Sequence, residues 1–198
     1  KWISSRGSYV KEFEKKFSKF CWVNYGVCCT SCYAALHLAC LAIGLKKGDE
    51  VIIPSFTMLA PLAAVIQTGA KPVLVDANSE TYCIDVDKIE EKINEKTKAI
   101  MPVHIYGHPC NMDKILDIAK KYNLKVIEDA AEAHGAEYKG KKVGSFGNIG
   151  CFSFYGNKII TTGEGGMAIT NNSVYYEKMK KLKNYAFEHP RFLHNELG

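Results

Sequence analysis

Long apolar runs are absent from these 198 residues. No stretch comes near the roughly 20 consecutive apolar residues that a bilayer crossing takes, so no membrane span and no membrane partner are expected. The opening residues, Lys1-Trp2-Ile3-Ser4-Ser5-Arg6, lack the apolar centre and small-residue cleavage site of a secretory signal. A cytoplasmic location is therefore expected, and with it reduced thiols instead of a disulfide framework. Repeats, low-complexity tracts and linkers are missing as well, which leaves one domain over residues 1–198. Charge of one sign is not in excess: 26 basic and 21 acidic residues leave a net +5. The lysines are spread along segments such as Lys178-Met179-Lys180-Lys181-Leu182-Lys183, which reads as a solvated helix face and not as a nucleic-acid patch. A balance this mild would at most help attract a phosphorylated substrate.

What is present suits a soluble globular domain with a real core, at 47% hydrophobic and 24% charged residues. The eight cysteines, at 21, 28, 29, 32, 40, 83, 110 and 151, sit mostly inside apolar runs, where free cysteine acts as a small hydrophobe. Cys29-Thr30-Ser31-Cys32 is a CxxC, but neither a second pair nor a histidine partner stands at zinc spacing, so no metal is expected. A redox dithiol stays open for this pair, and it would require one thiol to titrate well below ~8.5.

Periodicity gives an alternating series of strands and helices. Residues 9–20 read as an amphipathic helix with Val10, Phe13, Phe17 and Phe20 on one face. Strands are expected at 24–29, 50–53, 73–76, 99–104 and 125–128. Helices are expected from the Thr30/Ser31 cap to Gly44, over 57–68, over 86–93 capped by Asp85, over 112–122, and over 173–184. Pro102 weakens the strand at 99–104, and 138–143 reads as a hairpin. This alternation predicts an α/β fold, a mostly parallel mixed sheet with helices on both faces. In such sheets ligands bind beyond the carboxyl ends of the strands.

One stretch organises the rest: Cys151-Phe152-Ser153-Phe154-Tyr155-Gly156-Asn157-Lys158-Ile159-Ile160-Thr161-Thr162-Gly163-Glu164-Gly165-Gly166. A buried aromatic strand runs into a Gly-Asn turn that presents one lysine. A glycine-rich reversal then leads into the returning strand Met167–Thr170. Most lysines that follow a strand are surface lysines. At the edge of a hydrophobic sheet, however, desolvation disfavours the ammonium and makes the amine a nucleophile toward carbonyls. Phe-Ser-Phe-Tyr-Gly-Asn-Lys followed by Thr-Thr-Gly-Glu-Gly-Gly resembles the Schiff-base segment of the DegT/DnrJ/EryC1/StrS nucleotide-sugar aminotransferases. The resemblance runs from Trp2 to the last residues, and the lysine segment is its most specific part.

The resemblance implies a fold-type I large domain that binds pyridoxal 5′-phosphate, with Lys158 as the catalytic lysine that holds the cofactor through an imine and then moves the proton. Asp129, in Glu128-Asp129-Ala130-Ala131-Glu132-Ala133-His134, matches the aspartate that faces the pyridine nitrogen; a helix N-cap would fit the same position. Glu132 matches the position on the ring-hydroxyl side, and glutamate there resembles the subgroup that aminates C4 of a GDP-4-keto-6-deoxyhexose. Ser153 matches a serine that binds the cofactor phosphate, although a lone strand serine is usually a satisfied core hydroxyl. His134 reads as structural. The phosphate is expected at the helix N-terminus near Thr30, where free N–H groups and the helix dipole suit an anion.

Three departures from the family pattern stand out. Cys32 and Tyr33 occupy the positions of a glycine and a threonine that approach the phosphate, and a positive φ at Cys32 would be strained. Met58 stands where relatives stack an aromatic ring on the pyridine, while Phe56 is expected to point elsewhere. The resemblance stops at Arg191–Gly198, whereas family members continue into a segment reaching the neighbouring subunit and then a smaller C-terminal domain. Residues 1–198 are thus expected to be the large domain of a longer, homodimeric enzyme of surface-glycan synthesis, weakly active alone. Its amino donor is expected to be glutamate. Relatives that dehydrate such sugars carry histidine at the lysine position, so Lys158 argues for amination. The opposing reading is an impaired paralogue kept as a binding or dimerisation module.

Overall fold

The computed structural model describes residues 7–184 and two short strands at 187–188 and 193–194, which pair antiparallel. The first six residues and most of the last fourteen, where the resemblance begins and stops, lie outside the described residues. The strands are β1 (Tyr25–Cys29), β2 (Glu50–Pro54), β3 (Lys71–Val75), β4 (Thr97–Ile100), β5 (Lys125–Asp129), β6 (Glu137–Tyr138), β7 (Lys141–Lys142), β8 (Ile149–Ser153) and β9 (Gly166–Thr170). The helices are α1 (Ser8–Phe20), α2 (Cys32–Ala42), α3 (Leu59–Gln67), α4 (Met112–Lys121) and α5 (Ser173–Lys183). Seven strands form one sheet in the order β1-β9-β8-β5-β4-β2-β3. Pairing is parallel from β3 through β2, β4 and β5 to β8, and β9 runs antiparallel to both its neighbours. The expected α/β architecture with a mostly parallel mixed sheet is therefore present.

Alternation along each strand decides which layer it feeds. Val51, Ile53, Ala99, Ile127, Cys151 and Ala168 point to one face and pack under α2, α3 and α5. Ile52, Ile100 and Val126 point to the other, under α4, and Phe152, Met167 and Ile169 join Phe17 of α1 there. Both faces of the central sheet are covered, so β2, β8 and β9 are buried at every position instead of half exposed. The caps match the residue types: Ser31 Oγ accepts from Ala34 N–H, Asn111 Oδ1 from Lys114 N–H, and Asn172 Oδ1 from Val174 and Tyr175 N–H. The β6–β7 hairpin turns through Lys139 and Gly140, both at positive φ, as a tight two-residue turn demands.

Two expected elements differ. Residues 86–93 form two 3₁₀ turns, Val86–Lys88 and Glu90–Lys92, instead of one helix. So short a segment, with Ile89 as its fully buried anchor, does not propagate an α-helix. Asp85 does cap it, accepting from Asp87 N–H. The strand expected at 99–104 runs from Thr97 and ends at Ile100; Pro102 has no N–H to give, and Val103 makes an isolated bridge to Asp129. The chain then turns through Ile105–Gly107, with Tyr106 at φ 52°. Among the described residues no helix is long and apolar enough to cross a membrane.

Candidate active site

The parallel strands deliver their chemistry at one end. Asp129 is the last residue of β5 and lies beside Cys151, while Ser153 is the last of β8 and lies beside Gly166. Gly166 also pairs with Cys29 of β1, two residues before the Ser31 cap of α2. A Cβ on Gly166 would run into the Ser31 carbonyl and the Cys32 amide, so glycine there is what lets α2 begin directly over β9. At the start of α2 the N–H groups of Ala34 and Ala35 are taken by Ser31. Those of Cys32 and Tyr33, at the first two helical positions, have no intrahelical acceptor.

Lys158 reaches this end through the turn after β8. Its backbone N–H donates to Tyr155 O, and Phe154 N–H donates to Gly165 O, closing the loop that the glycine-rich reversal permits. Thr162 N–H and Thr161 Oγ1 both donate to Phe154 O. The Lys158 side chain is 16% exposed, and its Nζ donates to Glu132 Oε1 at 3.1 Å. The other oxygen of Glu132 accepts from Tyr106 N–H at 2.8 Å. The left-handed backbone at Tyr106 aims that N–H at the carboxylate, so Glu132 ties the lysine loop to the turn after β4.

Asp129 is 4% exposed, and of its two oxygens Oδ1 accepts from Ala131 N–H at 3.0 Å. Burial pushes its carboxyl up from 3.8 to about 6, against the Ala131 N–H and the fields of His104 and Lys158, which favour the anion. Lys158, Glu132 and His104 are thus all within electrostatic reach of Asp129, and Cys32 feels both Asp129 and Lys158. The sequence-predicted Lys158, Asp129, Glu132 and Cys32 therefore gather at one place. Ser153, 5% exposed, shares the sheet face of Cys151 and Asp129 and accepts from Tyr155 N–H.

Two predicted positions sit differently from expectation. Cys32 is buried, opens α2, and is not among the residues at positive φ, so the strain that a positive φ would bring does not arise. The Tyr33 hydroxyl is engaged away from the helix start, donating to Gln67 Oε1 of α3 at 2.6 Å, which leaves its backbone N–H for an anion. Met58 is 68% exposed at the start of α3, and Phe56 packs against the rings of Tyr82 and Tyr106. His134 is buried among Phe17, Phe152 and Phe154, and burial lowers its pKa, in keeping with a structural ring. Burial pushes Cys29 up to about 12 and Cys32 well above its ordinary value, the opposite of the lowered thiol that a redox pair requires.

Sequence reasoning missed a buried network directly behind Asp129. Glu128 Oε1 accepts from Phe146 and Gly147 N–H at 2.7 and 2.6 Å, and Oε2 accepts from Gly144 N–H at 2.7 Å and His104 Nε2 at 3.0 Å. His104 Nδ1 accepts from Cys110 N–H, which fixes the proton on Nε2. His104 N–H in turn donates to Asp129 O, and Asp129 N–H donates to Pro102 O. The signal was the pair of adjacent acidic residues ending an apolar strand, with a histidine ending its neighbour.

Comparison with known proteins matches residues 1–198 to the model of the DegT/DnrJ/EryC1/StrS aminotransferase family. The GDP-perosamine synthase of Escherichia coli O157:H7 is 50% identical over 198 residues, covering 100% of this chain and 54% of that protein. The protein of the same name from Caulobacter vibrioides is 52% identical over 187 residues, covering 94% and 50%. The crystal structure of S. venezuelae DesV in complex with a ketimine intermediate superposes with a TM-score of 0.94 at 37% identity, covering 98% of this chain and 53% of that one. The chain thus spans about half the length of the curated relatives it matches. On sequence and fold together, the chain belongs to the DegT/DnrJ/EryC1/StrS aminotransferase family.

Proposed function

We propose that this chain is the cofactor-binding large domain of a pyridoxal-phosphate-dependent sugar aminotransferase. Its substrate would be a nucleotide-linked 4-keto-6-deoxyhexose, aminated at C4 as in a GDP-perosamine synthase, with glutamate as donor. A homodimer with shared sites and a cytoplasmic place belong to the same proposal. The observation that carries it is the meeting of Lys158, Glu132 and Asp129 at the carboxyl ends of β5 and β8, beside the start of α2.

The residues fit the cofactor. Asp129 Oδ2 accepts no hydrogen bond among the described residues, and burial leaves this carboxylate short of a countercharge. A protonated ring nitrogen would supply one. The amides of Cys32 and Tyr33 and the hydroxyl of Ser153 would take the phosphate at the positive end of α2. When bound, pyridoxal phosphate supplies an electron-accepting ring that stabilises negative charge on the carbon losing its proton. Lys158 Nζ would hold the cofactor and carry that proton, and Glu132 Oε1 accepts its hydrogen bond. Glu132 would meet the ring-hydroxyl side while Tyr106 N–H keeps its carboxylate turned inward. Met58 would contribute a thioether contact to the ring.

The test is a spectrum of the protein titrated with pyridoxal phosphate, followed by borohydride reduction and peptide mapping. A pyridoxyl group fixed on Lys158, and none in Lys158→Ala, is expected; label on other lysines, or none, would overturn the assignment. The impaired-paralogue reading is favoured by one observation, the commitment of Tyr33 to Gln67 in place of a phosphate-binding hydroxyl. It predicts binding weak enough that Lys158 is labelled no faster than the surface lysines.

A further inference from the structure

We propose that Phe56, Tyr82 and Tyr106 form a stacking platform for the nucleobase of the substrate, one ring from each of three neighbouring loops. It rests on the nucleotide-linked substrate proposed for the site and adds the place of the base. β4, β2 and β3 are adjacent and parallel in the sheet. Tyr106 lies in the turn after β4, Phe56 just after β2, and Tyr82 in the loop after β3, all at the carboxyl ends. The ring centroids of Phe56 and Tyr82 are 5.7 Å apart with the planes tilted by 43°. Those of Phe56 and Tyr106 are 6.3 Å apart at 65°. Phe56 is the shared centre, and a tyrosine packs on it from each side.

These rings differ from those of the core. Phe17, Phe152 and Phe154 meet edge to face and are buried. Phe56 is 42% exposed, Tyr82 53% and Tyr106 73%, so the cluster keeps open ring surface toward solvent. Both tyrosines also hold left-handed backbone, at φ 59° and 52°, a region that bulky side chains rarely enter. Strain kept in two loops that converge on one exposed aromatic cluster points to a ligand there. The loops are tied down as well. Tyr82 N–H donates to Asn78 O, Asn78 N–H to Cys83 O, Ser55 N–H to Val75 O, and His108 N–H to Ile105 O. A platform held this way gives up little freedom when a flat ligand settles on it.

Position selects the base as the occupant. Glu132 links Lys158 Nζ, at 3.1 Å, to Tyr106 N–H, at 2.8 Å, so the platform begins where the lysine site ends. In the sheet order Lys158 follows β8, Asp129 ends β5, and β4, β2 and β3 come next. At about 4.8 Å per strand, the first platform ring belongs to a strand about 10 Å along the row from β8. A sugar nucleotide reacting beside Lys158 carries its base at the far end of a diphosphate and a ribose, which span such a gap. A nucleobase is a flat π-system that stacks on aromatic side chains whatever its identity. The platform therefore supplies affinity for the nucleotide without choosing the base.

The test titrates GDP, UDP and inorganic pyrophosphate into the unmutated chain by calorimetry, with pyridoxal-phosphate labelling of Lys158 run in parallel. Both nucleotides are expected to bind, and pyrophosphate about tenfold more weakly or worse. Tyr82→Leu and Tyr106→Leu keep apolar bulk but lose the ring, and each should weaken GDP about tenfold. Tyr82→Phe and Tyr106→Phe should bind as the unmutated chain does. In saturation-transfer NMR, magnetisation from the protein's aromatic protons should reach the base protons more than those of the ribose. Unchanged GDP affinity in both leucine variants, equal losses in the phenylalanine variants, or pyrophosphate binding as tightly as GDP would overturn the proposal. So would a change of oligomeric state in Tyr82→Leu with GDP affinity intact, which would assign the rings to a second copy of the chain. Label on Lys158 without any nucleotide binding would sink the platform alone. Ring-dependent nucleotide binding without that label would sink the cofactor assignment and leave the platform standing.

Discussion

Replacing Asp129 by Asn should stabilise the protein without cofactor and destroy its ability to gain stability from cofactor. In the folded chain burial raises this carboxyl from 3.8 to about 6, so the neutral form is the one the fold prefers. A group with a raised folded pKa contributes stability that is fully present below its unfolded pKa and lost as pH rises through its folded pKa. At pH 8 the penalty of keeping Asp129 ionised is then about 3 kcal/mol, and by pH 4.5 it shrinks to about 1 kcal/mol. Asparagine is neutral throughout, nearly isosteric, and still offers Oδ1 to Ala131 N–H. Urea denaturation of both proteins at the two pH values gives the decisive quantity, a relative gain for Asp129→Asn larger by about 2 kcal/mol at pH 8 than at pH 4.5. Any constant effect of the substitution cancels in that difference. Saturating pyridoxal phosphate should reverse the ranking at pH 8, because the unmodified carboxylate then gains a cationic partner. An equal gain at both pH values, or a larger gain at the acid end, would refute the electrostatic reasoning.

Three further substitutions test the supporting frame. Glu128→Gln keeps one acceptor oxygen but turns an amide NH₂ toward donors the carboxylate now satisfies, and should cost about 3 kcal/mol in urea denaturation; a loss below about 1 kcal/mol would show that the network is dispensable. Gly166→Ala places a methyl group against the Ser31 and Cys32 backbone, which no rotamer change relieves. It should lower stability by about 3 kcal/mol and weaken cofactor binding, read by denaturation and by spectral titration. Cys32→Gly restores the glycine of the family pattern, yet Cys32 is buried at the start of a helix with no positive φ to relieve. It should lose about 1–2 kcal/mol and bind the phosphate no more tightly, which a cofactor titration checks.

Much of the fold was legible because its signals are local. The short apolar runs of β2, β5 and β9, the Ser31 and Asn172 caps and the Lys139-Gly140 turn all follow from residue types a few positions apart. The errors fall where a distant contact decides. Whether residues 86–93 make one helix depends on how Ile89 seats in the core, and past Pro102 the pairing continues only as the isolated bridge of Val103 to Asp129 of β5. The candidate site divides the same way. Lys158 and Asp129 lie in short motifs, whereas the turn of Tyr33 toward Gln67 joins residues 34 positions apart. Local pattern held nothing of that contact.

The adjacent acids at the end of β5 show how one strand makes two carboxylates chemically different. Pleating sends their side chains to opposite faces of the sheet. Glu128 enters the face covered by α4, where four donors from His104 and the 144–147 loop saturate both its oxygens. Asp129 enters the face beneath the start of α2, where among the described residues it receives one backbone N–H and no cation at hydrogen-bond distance. A saturated buried anion is held for structure, and its removal leaves donors stranded. A buried anion short of partners is costly to the fold and favours any cation brought to it. Glu128 also fixes the His104 ring, and the His104 backbone N–H holds the Asp129 carbonyl. Separating the two roles needs the double substitution. If Glu128 acts on Asp129 through His104, the pH-dependent part of the Asp129→Asn gain should grow by a measurable fraction in a Glu128→Gln background. An unchanged difference between pH 8 and pH 4.5 would mean that the two acids work independently.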